Sequence, residues 1–228
     1  MTKSEQVETL MAPLLARHPD LFLFDRTLCL RPMRHFARMV VFGDGASPDV
    51  CVPKWIVLPT FRPNVGVAST LGRCFSDLYS RRREYDRWLW SDAAMMADVA
   101  ERVEAYALPL LRPLDTFERS LWFGIGHTIV QKSVDHRERM VMDIAGGELG
   151  AARRIWGEIG HTPVAGAVPS DPSLQADDDA YGRIGPPLLA DDRAALSRLL
   201  HGWEAQNLRG SPLEPIWEPS PFPLDAGL

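Results

Sequence analysis

The chain has 228 residues, 46% of them hydrophobic and 24% charged, with a formal net charge of −5. That apolar fraction is ample for a buried core and excludes a disordered chain. No apolar run approaches the roughly 20 residues that cross a bilayer, and MTKSEQVETL lacks the basic start and apolar stretch of a secretory signal, so the expected setting is the cytoplasm, without a membrane partner.

Thr2 and Glu5 have capping-box spacing, and Val7, Leu10, Met11, Leu14 and Leu15 follow at helical intervals, so a helix kinked at Pro13 opens the chain. Residues 21–61 read as three β-strands joined by two turns. The first holds Thr27, Leu28, Cys29 and Leu30 and stops at Arg31-Pro32, because proline has no N–H for the ladder. The second runs over 36–42, with Ala37, Met39 and Val41 on one face and Phe36, Arg38, Val40 and Phe42 on the other. Gly43-Asp44-Gly45-Ala46-Ser47-Pro48 is a turn, and 50–58 makes the third strand, where Pro53 marks an edge position or a bulge. The expected assembly is an antiparallel meander of three to four strands with one face to be covered by helices.

Residues 62–80 show no sustained period, although Val65, Val67 and Leu71 suit a short strand or turn. After Arg81-Arg82-Arg83 and the acidic pair Glu84 and Asp86, Ser91 is the expected cap of a helix with Asp92 in its first turn and Met96, Val99, Val103, Tyr106 and Leu110 along its stripe, ended by Pro109 and Pro113. Asp115 and Glu118 repeat the cap spacing ahead of a short helix that stops at Gly124-Ile125-Gly126. Helices over 128–144 and 148–159 form a hairpin broken at Gly146-Gly147, with Leu149, Ala152, Trp156 and Ile159 as the second helix's seam. The run IAGGELGAARRIW resembles the turn between helices of tetratricopeptide-type repeats. It occurs once, where a solenoid needs about three, so it implies a local helical hairpin.

Residues 161–187 are rich in Pro, Gly, Asp and Ala and read as a loop, 191–207 as a last helix bearing Leu196, Leu199, Leu200 and Trp203, with Gly210 ending it. The closing SPLEPIWEPSPFPLDAGL is expected as extended chain fastened by Trp217 and Phe222. The fold class is therefore α+β: a meander covered by helices, a mainly helical C-terminal half and an extended Pro-rich tail. The matching divisions are 1–114, 115–208 and 209–228, with Trp55, Trp122, Trp156 and Trp203 pinning the core.

Charge is uneven along the chain. Residues 1–90 carry 13 Lys+Arg against 9 Asp+Glu, and the remainder carries 12 against 21. Only three of the basic residues are lysine, a usage expected of a GC-rich bacterial genome. Cys29, Cys51 and Cys74 are odd in number and lack CxxC spacing, which predicts core thiols rather than a disulfide or zinc framework.

The candidate binding surface is a basic hairpin, Arg26, Arg31, Arg34, His35 and Arg38, whose guanidinium forks suit a carboxylate, a phosphate or an acidic protein surface. Arginines beside Tyr85 and Trp88 would suit nucleic acid, but the interleaved acids and the acidic whole argue against it. His127, Asp135 and His136 lie too far apart along one helix to share a metal, Asp177-Asp178-Asp179 lacks calcium-loop spacing, and Gly124-Ile125-Gly126 lacks the third glycine of a dinucleotide site. No catalytic residue, metal or cofactor is assigned. Two functions follow: a non-enzymatic protein-interaction module, such as an accessory, adaptor or toxin-neutralising partner, using the basic hairpin on an acidic protein surface or small anion; or a small hydrolase or transferase holding an anionic substrate on the same arginines, with His35 or His136 carrying a proton.

Overall fold

The computed structural model describes residues 1–63, 75–77, 88–130, 136–159 and 179–226, with the side chains of 75–77 and 124–130 left aside. The chain forms two compact units: Met1–Leu58 with Gly72–Ser120 and Pro212–Glu218, and Pro59–Leu71 with Leu121–Ser211 and Pro219–Leu228. No helix of the described residues is long and apolar enough to cross a membrane.

In the first unit α1 (Ser4–Arg17) buries Val7, Met11 and Leu14 and accommodates Pro13 without breaking. Its start lies one residue beyond the expected cap. The Lys3 N–H donates to Gln6 Oε1 at 2.9 Å, while the Thr2 N–H donates to Asp44 Oδ1 at 2.6 Å and the Thr2 hydroxyl to the Gly43 carbonyl at 3.3 Å. Thr2 thus anchors the chain start to the sheet instead of capping the helix.

The sheet is an antiparallel meander in the order β1 (Leu21–Phe24), β2 (Thr27–Leu30), β3 (Phe36–Asp44), β4 (Val50–Pro59), β5 (Phe75–Asp77), with β6 (Trp88–Leu89) also pairing with β4. Residues 21–30 make a hairpin rather than one strand, running from Leu21↔Leu30 to Phe24↔Thr27. Its turn is Asp25-Arg26, with Asp25 at φ 46°, a region aspartate tolerates better than most residues. β5 and β6 arise in stretches without apolar period, and Pro53 falls between the residues of β4 that pair with each, where a missing N–H costs least. β3 is buried on both faces: Phe36, Arg38, Val40 and Phe42 as well as Ala37 and Met39.

Asp92, not Ser91, caps α2 (Ala93–Arg102): its carboxylate accepts the Met95 N–H at 3.0 Å, while the Ser91 N–H and hydroxyl bond to Asp49. A π turn, Val103–Ala107, then leads into α3 (Leu108–Leu111). There the Leu108 N–H reaches back five residues to the Val103 carbonyl, immediately before Pro109, whose ring an unbroken α-helix would drive into a carbonyl. The wide turn also rotates the apolar stripe, so Tyr106 is exposed and Ala107, Leu108 and Leu111 are buried. α4 (Phe117–Val130) is started by the Thr116 hydroxyl, which accepts the Arg119 N–H at 3.3 Å, and it continues through Gly124-Ile125-Gly126. Trp122 stands 69% exposed on it and pins no core. Trp55, Trp156 and Trp203 are buried, and so is Trp88.

In the second unit α5 (His136–Ala145) and α6 (Leu149–Ile159) meet at Gly146-Gly147. The Gly147 N–H bonds the Ile144 carbonyl and the Glu148 N–H the Asp143 carbonyl, with Gly147 at φ 84°. This is the Schellman closure that glycine permits. A further helix, α7 (Gly185–Leu189), begins inside the last residues of the stretch read as loop, and a Cβ on Gly185 would strike the Trp156 ring. α8 (Arg193–Leu208) is capped by Asp192 and buries Leu196, Leu200 and Trp203. Its Glu204 accepts from the Thr60 hydroxyl at 3.0 Å, and Asn207 donates to the Thr60 and Arg62 carbonyls at 2.7 Å. Arg62 also pairs with Glu138 of α5.

The tail belongs to both units. Residues 212–218 carry the 3₁₀ turn Glu214–Ile216 and a parallel bridge between Met33 and Trp217. Beyond them Phe222 packs edge-on to Phe61, centroids 5.2 Å apart, ahead of the turn Pro223–Asp225.

Two glycines separate packing from propensity. Gly185→Ala is expected to lose about 1–3 kcal/mol through overpacking on Trp156. Gly202→Ala, in mid-helix with nothing near the added methyl, is expected to gain up to about 1 kcal/mol. Urea unfolding midpoints check both, and an unchanged midpoint for Gly185→Ala would deny the close packing.

Candidate functional site

The five candidate residues occupy different environments, all in the first unit. Arg26 sits at the β1–β2 turn, 3.0 Å from Asp44 and bonded to the Thr2 carbonyl, and Arg31 donates through Nε to the Pro19 carbonyl at 2.6 Å. Since β2 and β3 pair Thr27 with Val41 and Cys29 with Met39, Arg26 lies at one end of this hairpin and Arg31 at the other. Arg34 precedes β3. Its side chain is 53% exposed and its nearest carboxylate, Glu218, is 3.8 Å away. His35 is buried, edge-on to Phe117 with centroids 5.7 Å apart.

Arg38 is 7% exposed, so the face it shares with Phe36 is packed and not solvated. Its guanidinium donates to the Pro32 carbonyl at 2.8 Å and the Arg112 carbonyl at 3.5 Å, and no carboxylate of the described residues forms an ion pair with it. Burial pushes its pKa down, Arg34 adds to that through repulsion, and Asp115 and Asp20 oppose it. Arg34 and Arg38 are thus close enough to feel each other, one exposed and one buried, while Arg26 lies at the far end of the hairpin.

A charged chain that no local motif announces continues from there. Arg112, just past α3, forks onto Asp20 at 2.8 and 3.0 Å and holds that carboxyl below its ordinary value. Its Nη2 also lies 3.0 Å from His18 Nδ1. A guanidinium can only donate, so Nδ1 accepts and the ring proton sits on Nε2, facing Glu104 Oε1 at 2.8 Å. Glu104 pairs in turn with Arg17 at 2.7 Å. These partners lie some 86 to 94 positions apart in sequence, which is why spacing gave no hint of them.

Arg17 and Glu104 also end a cleft of about 880 Å³ between α1 and α2. Leu10, Leu14 and Met96 line it, and Trp90, whose indole donates to the Thr2 hydroxyl at 3.2 Å, stands at its other end. In the second unit a cleft of about 590 Å³ is lined by Arg183, Arg198 and the prolines 186 and 187. Neither cleft includes Arg34, His35 or Arg38.

Among the described residues no three His, Cys, Asp or Glu side chains are grouped to hold a metal ion. Cys29 and Cys51 are buried free thiols, and burial pushes Cys51 up to about 12, so neither is a ready nucleophile. His136 is exposed at the start of α5. Cys74, the arginine-rich 81–87, Asp135, Asp177 and Asp178, and the side chain of His127 lie outside the described residues. Against known proteins, no family model, no curated protein and no solved structure matches the chain.

The hydrogen bonds from Arg17 and then His18 hold the Glu104 carboxyl at about 2, against an ordinary 4.5. A lowered acid contributes to stability above its unfolded value and loses that contribution as pH falls through the folded one, here from about 4.5 down to about 2. An NMR titration of the Glu104 carboxyl is expected to show this low midpoint, and Arg17→Ala to move it back toward 4.5. An ordinary midpoint in the unaltered protein would contradict the pairing.

Proposed function

We propose that the chain is a non-enzymatic protein-interaction module, an accessory, adaptor or toxin-neutralising partner, that takes an acidic surface of another protein at its Arg34–Arg38 edge. The observation that carries this is Arg38, a guanidinium 7% exposed that is met by two carbonyls and, among the described residues, by no carboxylate in ion-pair contact, Asp115 and Asp20 acting on it only through their field. Burying a cation without a counter-ion is costly. An incoming carboxylate gripped by the exposed Arg34 brings negative charge to Arg38 and offsets the repulsion between the two guanidinium groups.

Arg34 stands out from the surface rather than lining either cleft, which favours a carboxylate presented by a macromolecule over a small enclosed substrate. Neither cleft joins these arginines to a histidine, so the hydrolase or transferase reading is the less favoured. The net charge of −5 disfavours nucleic acid. A bacterial, cytoplasmic setting belongs to the same proposal, supported by the preference for arginine over lysine and by the unbridged thiols of Cys29 and Cys51.

Affinity capture with the full chain from its native cell is expected to recover one stoichiometric partner. Arg34→Glu should weaken that capture at least tenfold while changing stability by no more than about 0.5 kcal/mol, the scale of an exposed ion pair. Recovery of the chain alone, or capture indifferent to Arg34→Glu, would count against the proposal.

A further inference from the structure

The cleft between α1 and α2 is a second surface, separate in chemistry from the arginine edge. The two helices run parallel: Trp90, just before α2, bonds Thr2, just before α1, and Arg17 of α1 pairs with Glu104 at the far end. The lining spans Glu5 to Arg17 on one side and Ala93 to Glu104 on the other, which at 1.5 Å per residue is about 17 Å, or three helical turns. One wall is a stripe of small residues, Ala93, Ala97 and Ala100, of which the first two are exposed. The other carries Leu10, Pro13 and Leu14 at helical spacing. Two parallel stripes of this length, one of them small enough for close backbone approach, are what a third helix laid in the groove requires.

The rim says which helix. Glu104 is neutralised by Arg17, which leaves Glu5 and Glu101, both exposed, as acidic posts on opposite walls. We propose that this groove docks a basic amphipathic helix of a partner protein, about three turns long, with an apolar face on the alanine stripe and Lys or Arg on its flanks facing Glu5 and Glu101. A second copy of this chain is the poorer occupant, because a two-fold contact through the groove sets these same carboxylates against each other.

The test is a display selection on the full chain with a library of 14-residue helical peptides of varied surface charge. The expected winners carry apolar residues at i, i+3 or i+4, and i+7 with Lys or Arg beside them. Ala97→Arg, which fills the groove from an exposed helical position, should weaken synthetic versions at least tenfold, and Glu101→Lys should weaken them in low salt more than in high salt. Arg34→Glu protein should select the same peptides, so this surface and the arginine edge hold or fail separately. Failure to enrich any peptide, winners with acidic flanks, binding indifferent to Ala97→Arg, or self-association through the groove in sedimentation would each overturn the proposal.

Discussion

Much of the first unit follows from where one guanidinium has been put. Arg38 lies inside a sheet strand that is covered on both faces, and an arginine there must be met by fixed oxygen. The oxygen comes from the Pro32 carbonyl, at the approach to β3, and the Arg112 carbonyl, just past α3. That requirement ties the sheet's entry to a helix end more than seventy residues later. Arg112 then turns its own side chain toward Asp20 and His18, and through His18 the chain of contacts reaches Glu104 and Arg17. Each exposed link is weak on its own. Their common effect is to fix where α1, the α2–α3 helix and the β2–β3 hairpin meet.

Two surfaces of contrasting physics result. At the arginine edge positive charge is concentrated and partly desolvated, so the recognition proposed there would be electrostatic and directional. Along the α1–α2 groove the walls are apolar and small and the rim carries Glu5 and Glu101 beside the Arg17–Glu104 pair, so the proposed docking would rest on burial, with charge selecting among helices. The Arg112–Asp20–His18–Glu104–Arg17 chain connects the two.

The strong elements of the fold were readable from residues. Alternation over 36–42, the Gly-Pro punctuation on either side, and Gly146-Gly147 as a helix break correspond to β3, its turns and the Schellman closure, because each signal has a direct backbone cause. What escaped had no local cause. Asp25-Arg26 is an unusual pair for a tight turn, so β1 was hidden within a single hydrophobic run. β5 and β6 are three and two residues long, too short to show a period. The π turn before Pro109 shifted the helical stripe by a residue, which put Tyr106 outside. Caps moved by one position at Ser91 and Asp115, where Asp92 and Thr116 accept the helix N–H instead, and at Thr2, where the helix starts from Lys3 without a side-chain cap. At the site, the clustering of Arg31, Arg34 and Arg38 was visible in the sequence, while the burial of Arg38 and the Arg112–Asp20–His18–Glu104–Arg17 chain were not. Burial depends on what covers a strand, and those partners meet only through the fold.

The most direct probe of the arginine edge is the Nε–Hε resonances of Arg34 and Arg38 during titration with hexaglutamate at low salt. A carboxylate held between an exposed and a buried guanidinium should move both signals along one binding curve, and Arg34→Ala should abolish the shift at Arg38. An Arg38 signal that stays still while other arginines respond, or that moves equally without Arg34, would contradict the account.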